Sequence, residues 1–192
     1  MAAGLARVDG QAEARADEGG VIEGLIAEGA YREAIARCAH TYAVALGRLC
    51  MAFTGSQAES EELVQETLIA AFDAFPQYRA EGSVRAWLFG IARRICGRHT
   101  EMRARREAKL RLVHDSRRGA DASELVAMRE RAERAREALA KLKPSEREAV
   151  VLRFEAGLSF RELAIACGID EAAARKRVSR ALARLREELG EE

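Results

Sequence analysis

Four closely spaced basic residues near the end of the chain have the chemistry to read nucleic-acid bases. Arg175, Lys176, Arg177 and Arg180 fall within two helical turns. A guanidinium can donate two hydrogen bonds to O6 and N7 of guanine, and an ammonium can donate to the same atoms. The basic residues follow a short helical pattern and a turn at Gly168. A short helix, a glycine turn and a basic second helix are typical of a helix-turn-helix that enters the DNA major groove.

The sequence around these residues supplies the signals that begin and end the helices carrying them. Pro144 suits the first turn of a helix because it lacks the amide hydrogen that would be unpaired there. Ser159 and Glu162 have the spacing of a capping box, and Asp170 is a suitable cap for the basic helix. Three helices are predicted here, over 145–155, 159–167 and 170–190.

The upstream sequence is predicted to be helical as well, because apolar residues recur at spacings of three, four and seven. Gly55 suits a left-handed C-cap, and Ser56 with Glu59 suits a capping box for the helix after it. A loop over 76–83 follows, in which Ser83 can cap the next helix. The predicted helices cover 21–29, 31–53, 56–75, 84–99 and 123–142.

Composition restricts the class of protein. The chain has 192 residues, of which 48% are hydrophobic and only 5% aromatic, and its many Ala, Leu, Glu and Arg residues favour helix over sheet. No stretch reaches the roughly 20 apolar residues of a membrane span, so direct membrane insertion is not expected. Residues 1–20 lack the basic start and apolar core of a secretory signal. We expect a disordered tail over 1–20 and a cytoplasmic protein.

The charges are segregated although the net charge is only +1. Acidic residues cluster in 59–66, whereas basic residues cluster in 93–118 and again in 175–186. This distribution predicts one surface for an anionic polymer and a different surface for another partner. On charge alone, a solvated acidic face is favoured over a docking face for 59–66, by about two to one.

The four cysteines, Cys38, Cys50, Cys96 and Cys167, do not form a Cys-x-x-Cys pair, and the three histidines are scattered. Zinc spacing is therefore absent, and neither a metal nor a cofactor is predicted. The favoured interpretation is that the cysteines are small buried apolar residues in a reducing compartment. A redox switch stays open as the alternative.

A highly charged stretch without apolar periodicity divides the chain. Residues 104–122 are predicted to be a flexible linker between 21–103 and 123–192, with a helical continuation over part of it as the alternative. The expected fold is therefore all-α, with two small helical domains joined by this linker, the second domain a helix-turn-helix.

Two motifs in this order resemble those of bacterial sigma factors. Glu-Glu-Leu-Val-Gln-Glu-Thr at 61–67 and Arg-Ala-Trp-Leu-Phe-Gly-Ile-Ala-Arg at 85–93 resemble sigma region 2. Lys-Pro-Ser-Glu-Arg-Glu-Ala-Val-Val-Leu-Arg-Phe, which begins the stretch 143–164, resembles region 4. The short linker leaves no room for the middle domain of larger sigma factors. The chain therefore resembles the two-domain, extracytoplasmic-function (ECF) subfamily, which implies a non-enzymatic factor that directs promoter recognition, DNA melting and transcription initiation.

The resemblance implies two protein surfaces and a regulator. The acidic helix would dock on the clamp of core RNA polymerase, which reverses the preference for a merely solvated face. The implied polymerase-binding residues are Glu61, Glu62, Gln65 and Glu66. The subfamily is also usually held inactive by an anti-sigma factor, so such a partner is expected.

The resemblance also implies how promoter DNA would be bound. The loop at 78–83 would capture a flipped base of the minus-ten element, whose extrusion costs a few kcal/mol, and four arginines would hold its phosphates. The implied minus-ten residues are Tyr78, Arg79, Ser83, Arg85, Arg93, Arg94 and Arg98. The implied minus-thirty-five residues are Ser159, Glu171, Ala172, Ala174, Arg175, Lys176, Arg177 and Arg180. The run of three alanines at 172–174 and Lys176 depart from the family pattern, so the promoter sequence is not inferred.

Three other classes of protein compete with this interpretation. The main alternative is a helix-turn-helix regulator that binds DNA without core polymerase and carries a sensor domain ahead of the helix-turn-helix. A receiver domain in that place would need alternating strands and helices, and 21–112 has no convincing strand pattern. A DNA-processing enzyme would need a metal triad or an activated nucleophile, which the sequence does not offer. A purely structural helical protein does not account for the paired basic clusters.

Overall fold

A computed structural model describes residues 18–110, 134, 137–139 and 141–190. Helices and the loops between them account for all of these residues, as the all-α prediction requires. Within them, no helix combines the length and apolar character needed to cross a membrane. The main core contains buried residues from both parts of the chain, between 22 and 96 and between 149 and 178.

Seven α-helices are used below. Residues 18–27 form α1. The others are α2 (Tyr31–Thr54), α3 (Gln57–Ala74), α4 (Val84–Leu110), α5 (Pro144–Val150), α6 (Phe160–Cys167) and α7 (Glu171–Leu189). A 3₁₀ turn, Phe75–Gln77, follows α3, and a π-helical turn, Val151–Glu155, continues α5.

Local sequence signals set most helix ends where they were predicted. Gly55 adopts the left-handed conformation, with φ 68°, and its amide closes the last turn of α2. Ser159 and Glu162 form both hydrogen bonds of a capping box, and the Asp170 carboxylate accepts from the third amide of α7. Ser56 accepts from the Glu59 amide, but only this half of the predicted capping box forms, because the Ser56 amide donates to Thr54 Oγ1. These bonds satisfy backbone groups that a helix end otherwise leaves unpaired.

Some predicted boundaries need correction. Helix α4 continues to Leu110, so 104–110 form the helical continuation that was the alternative to a linker there. Residues 18–20 belong to α1 rather than to a tail. In the predicted helix 145–155, the last turn is π-helical from Val151 onward. The linker segment 111–122, the tail 1–17 and most of the predicted helix 123–142 lie outside the described residues.

An aromatic cluster joins the helices on the N-terminal side. Phe75 is 1% exposed, and its ring stacks on Tyr31 at 5.9 Å and on Trp87 at 5.7 Å between centroids. Tyr78 meets the Trp87 ring edge-on at 5.1 Å. These rings come from α2, the 3₁₀ turn and α4, so one cluster fixes the end of α3 against both neighbours.

The C-terminal helices form a second packed group around α5 and α7. Leu142, Val150 and Ala181 are buried together. Glu146 is only 5% exposed, and its carboxylate accepts from Arg184 Nη1 at 2.7 Å. A buried carboxylate requires such a partner because desolvation otherwise disfavours its charged form.

Helix α6 packs directly on α4, so the two groups share one apolar core. Leu158 and Leu163 are buried in the same cluster as Leu88 and Phe89 of α4. At Gly90, an added Cβ would stand 3.3 Å from the Ala166 carbonyl oxygen. Glycine is thus what allows the two helix backbones to approach this closely.

We expect Phe75→Ala to destabilise the protein by about 3–5 kcal/mol, because it removes the central ring of the aromatic cluster and leaves a cavity. Chemical denaturation monitored by circular dichroism measures the free energy of unfolding. Val44→Ala is the control, since Val44 lies on α2 but is 72% exposed. It should change stability by less than about 0.5 kcal/mol. A Phe75→Ala variant as stable as the control would contradict the role of the cluster.

Candidate nucleic-acid interface

The predicted polymerase-binding residues share an exposed face of α3. Glu61, Glu62, Gln65 and Glu66 are all exposed. Glu61 accepts a hydrogen bond from Gln57, and Glu66 lies 3.5 Å from Arg98 Nη2. The face is therefore strongly negative but open to solvent.

A groove between α2 and α3 borders this acidic face. It has a volume of about 590 Å³. Its apolar walls include Val44 and Met51 from α2 and Val64 from α3, while Glu61 and Gln65 form part of its rim. The combined surface suits a partner that presents apolar side chains flanked by positive charge.

The loop at 78–83 is held by α1, which the sequence did not indicate. The Tyr78 hydroxyl lies 3.0 Å from both Glu23 Oε1 and the Gly82 carbonyl oxygen, and it can donate to either. The same Glu23 oxygen accepts from the Val84 amide at 2.8 Å. Burial and the Glu23 carboxylate raise the pKa of Tyr78, which keeps its hydroxyl protonated. Glu23 and Tyr78 are 55 residues apart, so no local pattern could have paired them.

Arg79 and Ser83 occupy different environments within the same loop. Arg79 is exposed and lies 4.0 Å from Glu81. The Ser83 hydroxyl accepts from the Ala86 amide at 3.1 Å, as its predicted capping role requires. Between them, Ala80 has a positive φ of 52°, a conformation that costs a non-glycine residue energy.

The four arginines of α4 divide into two pairs. Arg94 and Arg98 are exposed. Arg85 and Arg93 instead point at the helix-turn-helix, and their side chains are only 14% and 24% exposed. The structure therefore leaves two of the four predicted phosphate contacts accessible and covers the other two.

Arg85 is held by the N-terminal end of α6. Its Nη1 donates to both carboxylate oxygens of Glu162, at 3.1 and 3.2 Å. Its Nη2 donates to the carbonyls of Ala156 and Gly157, at 2.8 and 3.1 Å. The same Glu162 closes the capping box with Ser159, so one carboxylate stabilises both α6 and the contact with α4.

Arg93 makes a parallel set of contacts further along α4. Its Nη1 donates to Glu148 at 2.9 Å, and its Nε donates to the Ala166 carbonyl at 3.3 Å. Glu148 is 16% exposed. Charge-assisted bonds in such partly buried settings are stronger than exposed surface pairs. These pairs connect residues 55 to 77 positions apart, and sequence spacing carried no signal for them.

The basic helix α7 presents most of its predicted DNA-binding residues outward. Ala172, Arg175, Lys176 and Arg180 are exposed, and Arg177 is half-buried. Arg175 pairs with Glu171 one turn earlier, and its guanidinium carbon lies 4.5 Å from the centre of the Phe160 ring. The basic surface is thus available while Arg85 and Arg93 of α4 are covered.

Two of the predicted minus-thirty-five residues, Ala174 and Ser159, make contacts within the protein that stabilise the fold. Ala174 is 0% exposed and packs in the core beside Val178. It therefore cannot touch DNA directly, because it lies on the inner face of α7. The Ser159 hydroxyl bonds Glu162 in the capping box.

The cysteines lie mainly in the core, as the favoured interpretation predicted. Cys38, Cys50 and Cys96 are buried, and Cys167 is partly buried. Burial raises the pKa of Cys38 to about 12. The Cys96 thiol donates to Cys50 Sγ at 3.6 Å, and this bond together with burial raises the pKa of Cys96.

Comparisons with known proteins agree on one family. The family model for sigma-70 region 2 matches residues 38–107, and the model for sigma-70 region 4 matches 132–185. The chain is 32% identical over 140 residues to the ECF RNA polymerase sigma factor SigC of Mycobacterium tuberculosis, covering 68% of this chain and 70% of SigC. It is 30% identical over 148 residues to the ECF sigma factor EcfG of Rhodopseudomonas palustris, covering 73% and 76%.

Solved structures show the same fold. CnrH, solved in complex with the cytosolic domain of CnrY, is 24% identical with a TM-score of 0.67, covering 90% of this chain and 97% of CnrH. The sigma factor RpoE of Bartonella quintana, solved with the anti-sigma factor NepR, is 26% identical with a TM-score of 0.56, covering 76% and 90%. The chain therefore belongs to the ECF RNA polymerase sigma factors, which direct transcription initiation.

Proposed function

We propose that this chain docks on core RNA polymerase through α3 and binds the two promoter elements through α4 and α7. Region 2 would occupy 21–103 and region 4 would occupy 123–192. The observation that carries this proposal is the separation of three surfaces: an acidic face on α3, arginines on α4 and a basic face on α7. The chain would catalyse no reaction itself and would act in the cytoplasm, where it meets polymerase.

The polymerase contact would use the acidic face together with the neighbouring groove. Glu61, Glu62, Gln65 and Glu66 supply negative charge and hydrogen-bond acceptors, and the groove between α2 and α3 supplies apolar area. A partner helix with basic and apolar side chains satisfies both features. Core polymerase would supply that helix on its clamp.

The minus-ten element would be bound by the loop at 78–83 and by α4. Arg79, Arg94 and Arg98 are exposed and can reach phosphates, although Arg79 and Arg98 would exchange their surface contacts with Glu81 and Glu66 for them. Tyr78 has an aromatic edge and a hydroxyl fixed by Glu23, which suit the wall of a pocket for a flipped base. Arg85 and Arg93 would join only after they leave Glu162 and Glu148.

The minus-thirty-five element would be read by the exposed face of α7. Arg175, Lys176, Arg177 and Arg180 supply the donors, and Ala172 allows close approach to the groove. Glu171 would act by orienting Arg175, and Ser159 by ending the turn that positions α7. Ala174 would contribute packing.

The arrangement in this structure cannot contact both promoter elements at once. The element names place their centres about 25 base pairs apart, which is about 85 Å along B-DNA at 3.4 Å per pair. Yet α6 of the helix-turn-helix touches α4, with Arg85 bonded to Glu162. We infer that the structure is a closed state and that transcription initiation requires α6 to leave α4. If only a fraction of the molecules are open, the apparent affinity for DNA equals the affinity of the open state multiplied by that fraction.

An anti-sigma factor is proposed as a second protein partner. The RpoE structure of Bartonella quintana was solved with an anti-sigma factor, and that protein shares the fold of this chain. A factor that stabilises the closed state would keep Arg85 and Arg93 covered. A factor that occupies the α2–α3 groove would compete with polymerase instead.

Reconstituted transcription tests the function. Purified chain added to core polymerase should bind it and direct initiation at discrete promoters, whereas Glu62→Lys should bind core more weakly and initiate less. Glu28→Lys is the control, because Glu28 is also exposed, lies in the turn after α1 rather than on α3, and undergoes the same charge change. Affinity for core is measured by titration and initiation by the yield of full-length transcripts.

Two results would refute the proposal in different ways. If the chain binds duplex DNA tightly but never associates with core polymerase, it is a helix-turn-helix regulator that acts without polymerase. If Glu62→Lys and Glu28→Lys weaken core binding equally, docking does not use the acidic face of α3.

We expect Glu148→Gln combined with Glu162→Gln to open the protein, because the change removes both charges that hold the arginines of α4. Glutamine retains the capping role of Glu162. The radius of gyration in small-angle X-ray scattering should rise. The affinity for a mixed-sequence single-stranded DNA should rise about three- to tenfold as Arg85 and Arg93 become accessible.

The matched control is Glu28→Gln with Glu155→Gln, which changes the net charge equally at two exposed sites. It separates opening from a general gain in positive charge. Equal size and equal DNA affinity for the two double variants would show that these ion pairs do not keep the protein closed.

A further inference from the structure

The ring of Phe160 joins two arginines at the start of α6. Phe160 is the first residue of that helix, directly after its cap Ser159. The guanidinium carbon of Arg175 lies 4.5 Å from the ring centre, and that of Arg153 lies 5.0 Å from it. Both distances are within the range of a cation–π contact. An aromatic residue on the short helix thus touches a DNA-facing arginine on the next one.

The Phe160 ring is held in place by packing against the core. Phe160 is half-buried and packs against the main core. Arg153, on its other contact, donates to the Leu158 carbonyl at 2.9 Å. The Phe160 ring is therefore held by the core, and Arg153 by the Leu158 carbonyl. The Arg175 side chain packs on a ring whose position is set by other contacts.

Arg175 has a second restraint, from Glu171, but the two restraints differ chemically. The carboxylate of Glu171 takes a hydrogen bond from Nη2. A ring face attracts the guanidinium without using any of its N–H groups, all of which lie in the guanidinium plane. The Arg175 side chain is 59% exposed, so the rest of its donor edge can reach a base. Bidentate bonding to guanine needs that edge to be free and correctly oriented.

We propose that Phe160 is a positioning residue for base reading, holding the Arg175 guanidinium so that its donor edge faces a guanine of the minus-thirty-five element. This rests on the proposed function, since it assumes that α7 reads that element. An arginine that is already oriented loses less side-chain freedom when it binds. The structural alternative is that Phe160 only packs α6 against the core.

The test uses reconstituted holoenzyme, made with the full chain, on a promoter library randomised in the minus-thirty-five element. Sequencing of the transcripts gives the base preference at each position. Arg175→Ala should abolish the preference at one position, which identifies the base that Arg175 reads. Phe160→Leu should lower the preference about two- to fivefold at that same position and leave the others unchanged. Phe160→Tyr, which keeps the ring, should retain it.

Two further variants protect the test against a misfolded Phe160→Leu protein. Pentafluorophenylalanine at position 160 keeps the ring shape but reverses the charge of its face, so it should lower the same preference without altering stability. Adding Phe160→Leu to Arg175→Ala should cause no further loss at that position. The proposal would be overturned if Phe160→Leu and pentafluorophenylalanine both left the base preference unchanged at the Arg175 position. It would also be overturned if they lowered the base preference equally at every position. If the wild-type chain itself fails to initiate with core polymerase, the proposed function fails instead.

Discussion

The contact between α4 and α6 determines which arginines of α4 are accessible. It depends on two connected features. Gly90 lets the backbones approach until an added Cβ would be 3.3 Å from the Ala166 carbonyl oxygen. Arg85 and Arg93 then reach carboxylates and carbonyls on the opposite side, at 2.8 to 3.3 Å. A Cβ at position 90 would require the Ala166 backbone, which accepts from Arg93, to shift by a few tenths of an ångström.

The same contact explains how a protein with a net charge of +1 can serve an anionic polymer. Its positive charges are concentrated on α4 and α7, and two of those on α4 are neutralised internally by Glu148 and Glu162. Under the proposed function, DNA and the carboxylates would compete for the same two guanidinium groups, so that binding one would exclude the other. Because that exchange replaces ion pairs with ion pairs, its electrostatic part is small, but opening also exposes the buried side chains of Leu88, Phe89, Leu158 and Leu163, which opposes it. Such an equilibrium can be shifted by a partner that favours one state.

The sequence predicted features whose cause is local. The caps at Ser56, Ser159 and Asp170, the left-handed Gly55 and the apolar face of α2 follow from residues within one or two turns, and all were confirmed. The end of α4 at Leu110 could not be located within 104–122, because a charged helix and a charged linker have similar composition. Ala174 was assigned to DNA from its place in a motif, whereas its position on the inner face of α7 determines its burial.

Features that depend on distant residues could not be predicted. Glu23 fixes Tyr78 and the start of α4 across 55 and 61 residues, and no periodic pattern connects them. The partners of Arg85 and Arg93 are 55 to 77 residues away, so nothing in the sequence separated these two from Arg94 and Arg98, and the family resemblance implied phosphates for all four. The contact of Phe160 with Arg175 likewise appears only when α6 and α7 are packed together.

The most direct test of the closed state is the distance between region 2 and region 4 in the free and the transcribing protein. Spin labels introduced as unnatural amino acids at Gln77 and Arg186, both exposed, avoid the native cysteines and the α4–α6 contact. Pulsed electron paramagnetic resonance should give a single short distance for the free chain. It should give one longer by tens of ångströms in the complex with core polymerase and promoter DNA. A long distance in the free chain, or an unchanged short distance in a complex that initiates transcription, would contradict this account.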